Sequence, residues 1–129
     1  MSETTLFFAK AGRALNSAER LIDDGDLDFA ASRVYYAWFY VAEGLLLTQG
    51  LKYLRHGQVL AQYGNRFART GLLDVEFHRL LVRAHNLRTM ADYWSQVNID
   101  SETVTELIRE GRRFLEAARG YLEAHPPEH

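Results

Sequence analysis

No cysteine occurs among the 129 residues. That absence removes disulfide frameworks, thiolate nucleophiles and cysteine-based zinc sites together. Long hydrophobic runs are missing as well: the apolar stretches fall far short of the ~20 residues needed to span a bilayer, and the polar start Met1-Ser2-Glu3 does not read as a signal peptide. A cytoplasmic address follows by elimination. The chain has no HExxH, no Gly-rich phosphate loop, no GxSxG and no Walker sequence. Neither a metal nor a cofactor is therefore expected. Internal repeats, linkers and strand-like alternation are also wanting.

What is present suits one helical domain. The hydrophobic share of 47% and the charged share of 25% exclude disorder and coiled coil. Net charge is near neutral but unevenly spread. From Glu3 to Asp28 six acids (Glu3, Glu19, Asp23, Asp24, Asp26, Asp28) face three bases (Lys10, Arg13, Arg20). From Lys52 to Arg88 seven bases (Lys52, Arg55, Arg66, Arg69, Arg79, Arg83, Arg88) face Asp74 and Glu76, and His56, His78 and His85 lie in the same stretch. Such a bias attracts phosphate-bearing ligands, and solvated helix faces account for it equally well.

Spacings of three and four predict a first helix over about Leu6 to Ile22, ended by Asp23-Asp24-Gly25-Asp26. A second runs from about Leu27 to Gln49, closed by Gly50 in the left-handed conformation. A short third covers about Gly57 to Arg69, and a fourth Val75 to Tyr93 after a turn bracketed by Gly71 and Asp74. Ser95 to Ile99 breaks the pattern; Asp100 or Ser101 then caps a fifth helix to about Ala124, which Pro126-Pro127 stops. The expected fold is all-α, an up-and-down helical bundle of four long helices plus one short helix. Residues 1–124 form the single domain and 125–129 a fraying tail.

Five aromatic rings, Tyr35, Tyr36, Trp38, Phe39 and Tyr40, fall within six positions of the second helix. At about 100° per residue they cover an arc of roughly 200°, whereas one core-facing stripe needs little more than ~100°. The helix is therefore expected to pack on two sides, the second against a partner such as another copy of the chain. Ser32, Arg33, Tyr36, Tyr40 and Glu43 project within about 100° of one another. Two readings fit these polar tips: a network that fixes packing or dimer register, or a groove that holds a nucleotide or RNA. On the fourth helix His85, Arg88 and Asp92 fall within about 60°, with Arg88 and Asp92 spaced to pair; Arg79 and Arg83 point the other way. They form either a structural clamp or part of a site. His56 opens the third helix, a place where packing and capping histidines are common.

Three segments taken in order resemble one family. Ala31-Ser32-Arg33-Val34-Tyr35-Tyr36-Ala37-Trp38-Phe39, with Glu43 and Leu45-Leu46-Leu47, is similar to the "SRAYYAxFxxAxALL" helix of HEPN domains (higher eukaryotes and prokaryotes nucleotide-binding). The likeness continues through His56-Gly57-Gln58-Val59 and Phe67-Ala68-Arg69-Thr70-Gly71-Leu72 to Leu87-Arg88-Thr89-Met90-Ala91-Asp92-Tyr93, which resembles the "LRxxADY" element. The resemblance implies a helical bundle that dimerises and works beside a minimal nucleotidyltransferase-type partner, as in prokaryotic toxin–antitoxin pairs. It also implies nucleotide or RNA as ligand, with Arg88 and Asp92 as the reactive pair and Ser32, Arg33, Tyr36, His56, His85 and Tyr93 as binding candidates.

Many HEPN proteins are metal-independent ribonucleases with an Arg-X(4–6)-His motif. Here Arg88 matches the arginine, but Tyr93, Trp94 and Ser95 stand where the histidine belongs. Arg79 and His85 fit by count yet point about 120° apart on a continuous helix. The expectation is thus a binding module. The alternatives are a ribonuclease in which His56 or His85 replaces the motif histidine, or Tyr93 plays a lesser part, and a purely structural helical dimer.

Overall fold

The computed structural model describes residues 2–93 and 98–126. Among these residues it contains helices and turns and no strand. Helix α1 spans Glu3–Asp23, α2 Leu27–Thr48, α3 His56–Tyr63, α4 Val75–Tyr93 and α5 Ser101–Ala124. Four long helices and one short one thus make up the domain. The break expected at Ser95 lies outside the described residues, as does the tail beyond Pro126.

Local chemistry sets the boundaries. Helix α1 begins three residues before its apolar spacing does, because the Ser2 hydroxyl accepts from the Thr5 amide at 3.1 Å and caps the first turn. Asp100 caps α5 in the same way, accepting from the Glu102 amide at 3.1 Å. Gly50, at φ +73°, closes α2 as its position predicts.

The third helix differs from the single α-helix expected through Arg69. After Tyr63 it widens into a π-helical turn over Gly64–Ala68, and the Arg69 amide donates to the Gly64 carbonyl five residues back. Gly64 makes room for α4 at this point: a Cβ there would lie 2.7 Å from Nε2 of His78. Apolar spacing alone carries no trace of the wider turn.

Helix α2 is the central element, in contact with α1, α3, α4 and α5. Ala30, Val34, Trp38, Val41, Leu45 and their neighbours are buried around more than half of its circumference, and Phe29, Arg33, Tyr36, Tyr40 and Glu43 line the remaining stripe. Its approach to α1 depends on Gly44, where a Cβ would come within 2.6 Å of the Phe8 ring. The Thr4 hydroxyl donates to the Gly44 carbonyl at 3.1 Å and ties the start of α1 to the end of α2, so the two run antiparallel. On the opposite side Trp38 stacks on Phe114 at 4.8 Å and donates from Nε1 to the Leu107 carbonyl of α5 at 3.0 Å. The wide aromatic arc is therefore met within the chain and does not by itself call for a partner. Of its five rings, Tyr35, Trp38 and Phe39 are buried and only Tyr36 and Tyr40 remain partly exposed.

Candidate functional site

Where α2, the start of α3 and the second half of α4 meet, aromatic rings and titratable groups converge. His56 is the first residue of α3. Its imidazole lies flat on the Phe39 ring, with centroids 4.1 Å apart and planes 17° apart. The rings of Tyr35, tilted by 31°, and of Tyr36, perpendicular at 89°, are each 5.7 Å away by centroid. The Tyr35 hydroxyl and His56 Nδ1 are hydrogen-bonded at 2.7 Å. From α4, His85 meets the Tyr35 ring at 5.4 Å.

Arg88 extends from the next turn of α4 over the same two tyrosines, its Cζ 5.6 Å from the Tyr35 centroid and 5.4 Å from that of Tyr36. It donates to the Tyr36 hydroxyl at 3.2 Å. Its Nε is 2.7 Å from an Asp92 carboxylate oxygen, the i,i+4 pairing that the spacing predicts. That oxygen lies off the N–H direction, so charge pairing holds while the buried Nε makes no hydrogen bond among the described residues. The guanidinium is thus partly desolvated, and the 26% of the side chain that remains exposed is where a further anionic acceptor can meet it.

Burial and charge shift the titrations here. Burial pushes the Tyr35 phenol well above its ordinary range, and the nearby Arg88 charge offsets this only in part. The His56 pKa is lowered, first by burial and then by the positive potential of Arg88 and His85. A neutral imidazole beside a permanent guanidinium results.

Not every candidate joins the cluster. Tyr36, His56, His85, Arg88 and Asp92 come together. Arg33 is exposed and makes no hydrogen bond or ion pair among the described residues. It lies three residues before Tyr36 on α2. Ser32 is half-buried and likewise makes no side-chain hydrogen bond among those residues. Tyr93 is 80% exposed at the end of α4, beyond the cluster. Glu43 belongs to another neighbourhood, near Lys10 and Lys52, where burial outweighs their attraction and raises its pKa.

Two members escaped the sequence reading. Tyr35 and Phe39 read as core, and they are buried, but one bonds His56 and the other carries it. The Tyr35–His56 contact joins positions 21 residues apart across a loop, so no helical spacing announces it. An open hollow of about 400 Å³ lies elsewhere, between α1 and α5, lined by Glu19, Ile22, Asp23, Ile108, Arg109 and Arg112; no histidine or tyrosine enters it. No group of three potential metal ligands occurs among the described residues, and no helix there is long and apolar enough to cross a membrane.

The model of the HEPN domain matches residues 4–121, nearly the whole chain. A Methanocaldococcus jannaschii protein named "Putative toxin" is 36% identical over 113 residues, which cover 88% of this chain and 77% of the relative. A "UPF0332 protein" of Thermotoga maritima is 33% identical over 114 residues, covering 88% and 86%. A second "Putative toxin" of M. jannaschii is 29% identical over 109 residues, covering 84% and 81%. The chain belongs to the HEPN domain family.

Proposed function

We propose that this chain is the HEPN component of a toxin–antitoxin pair. It acts as a homodimeric module that engages a nucleotidyltransferase-type partner and holds a phosphate of a nucleotide or RNA between α2, α3 and α4. The observation that carries the reading is Arg88: its guanidinium lies over two tyrosine rings, pairs with Asp92 through Nε, donates to the Tyr36 hydroxyl from Nη2, and still leaves its side chain 26% exposed. The Tyr36 hydroxyl and the His56 imidazole add polar groups at the same rim. The toxin names of two relatives support the biological setting. For the dimer, exposed apolar surface lies toward one end of the antiparallel α2 and α4, at Phe29, Met90 and Tyr93.

Fluorescence anisotropy with a labelled single-stranded oligoribonucleotide at low salt tests the phosphate site. Wild type is expected to bind and Arg88→Ala to bind much less; absence of binding by wild type sinks the proposal. Sedimentation at micromolar concentration tests the dimer, and a monomer there refutes it. Co-purification from the native host tests the partner.

A second reading, a metal-independent ribonuclease, draws on one specific observation: a histidine does stand beside Arg88, supplied by α3 instead of by the segment after Arg88. Efficient RNA cleavage in the presence of a chelator, abolished by His56→Ala, would replace the binding-module reading with this one.

A further inference from the structure

We infer that Tyr35 is a positioning residue that fixes His56 in its Nε2–H tautomer, so that the imidazole offers the groove beside Arg88 a hydrogen-bond donor and no lone pair. Only the use of that donor rests on the phosphate-binding reading; the tautomer follows from hydrogen-bond accounting.

One hydrogen lies between the Tyr35 hydroxyl and His56 Nδ1, 2.7 Å apart. Suppose first that Nδ1–H donates to the phenol oxygen. The phenol's own hydrogen then has no acceptor among the described residues, although Tyr35 is 0% exposed. A buried donor left unmet is the costly case. Suppose instead that the phenol donates to Nδ1. Its hydrogen and the imidazole lone pair are then both used, and only spare acceptor capacity on the phenol oxygen remains. The second arrangement wins. A neutral imidazole carries one hydrogen, so it resides on Nε2.

Two further observations agree. Phe39 and the edge of Tyr36 hold the ring in one plane, which limits its freedom to swap nitrogens. His56 is half-buried at the start of α3, and its Nε2 makes no hydrogen bond within the described residues. Arg88 stands against the same two tyrosines. A phosphoryl oxygen seated there would accept from a guanidinium N–H and from a neutral imidazole N–H together. In that tautomer His56 has no free lone pair with which to take a proton from a ribose 2′-hydroxyl.

The test is a long-range ¹H–¹⁵N correlation spectrum of the imidazole side chains of the full chain at about pH 8, above the ordinary histidine pKa. His56 is assigned by the signal lost in His56→Gln. The Nε2–H pattern is expected in wild type, and a mixed or Nδ1–H pattern in Tyr35→Phe, with thermal unfolding checking that the variant is folded. An Nδ1–H pattern in wild type overturns the inference, as does an unchanged pattern in folded Tyr35→Phe. Should that variant not fold, the wild-type spectrum decides alone.

Titration with inorganic phosphate and with a single-stranded oligoribonucleotide at low ionic strength follows. His56→Gln, whose amide stands near the Nε2 position, should keep affinity within about twofold, whereas His56→Asn should lose roughly tenfold. The reverse order overturns the donor assignment. Failure of wild type to bind either probe refutes the phosphate-site reading, while the spectrum still decides the role of Tyr35.

Discussion

Trp38 and Tyr35 lie one turn apart on α2, and both are fully buried, yet their polar atoms end in different places. The Trp38 N–H donates to the Leu107 carbonyl, a group that never titrates and has no second face open to water. The Tyr35 hydroxyl bonds the imidazole of the half-buried His56, beside a guanidinium that is itself partly exposed. One helix thus carries a closed aromatic network on its α5 side and an open one on its α3 and α4 side. Aromatic content marks neither as a site; the difference lies in whether the chain of hydrogen bonds terminates inside the protein or at its surface.

The comparison breaks most visibly at Trp38. Trp38→Ala removes the ring stacked on Phe114 and its hydrogen bond to the Leu107 carbonyl, so a loss of about 3–5 kcal/mol is expected from denaturant midpoints. Tyr36→Ala, on the open side and half-buried, should cost clearly less, about 1–2 kcal/mol. Equal losses would mean that both networks are core. Comparable in size to Tyr36→Ala, but on the closed side, is Gly111→Ala, where the new Cβ would sit 3.0 Å from Leu15 and 3.1 Å from Trp38 Nε1. Crowding there should outweigh the helix-propensity gain of about 1 kcal/mol and leave a net loss of roughly 1–2 kcal/mol. A neutral or stabilised variant would show that the closed side has slack.

This contrast also explains what the sequence could tell. Helix α4 reads from Val75 to Tyr93, as it is in the structure, because its apolar period and the Asp74 turn are local signals. The Arg88–Asp92 pair reads equally well, since i,i+4 neighbours follow from helix geometry alone. Tyr36 and His56 were legible as candidates by residue type and family likeness, but their meeting was not: it needs the loop from Gly50 to Arg55 to return α3 onto α2. Tyr35 was hidden for a different reason. A buried tyrosine in an aromatic run looks like core until its hydroxyl partner is known.

On the open side Arg88→Ala should act on binding more than on the fold. Losing a charge-assisted contact to phosphate predicts a ten- to roughly hundredfold weaker oligoribonucleotide affinity, and a salt slope shallower by about 0.7. Thermal stability should change much less than in Trp38→Ala, because Arg88 is incompletely satisfied to begin with. An unchanged affinity with a large stability loss would make the Arg88–Asp92 pair a structural clamp.

The smallest effect is the most discriminating, because one group should drive two trends of opposite sign. The folded-state pKa of His56 lies below its ordinary value of about 6.5, so below that pH the unfolded chain binds more protons than the native one. The stability that a neutral His56 contributes is present above pH ~6.5 and is lost as pH falls toward the folded-state value. Glu43 works the other way: its raised pKa makes the native state the stronger proton binder, so acidification favours the fold in its range. Subtracting the His56→Gln profile from that of wild type isolates the histidine. Phosphate binding should move against stability, tightening as His56 becomes an imidazolium beside Arg88, since a bound dianion favours the charged ring. His56→Gln should remove both the acid loss of stability and the acid gain of affinity. If the variant loses neither, His56 is a packing residue with no part in the open network, and Arg88 alone would account for anion binding.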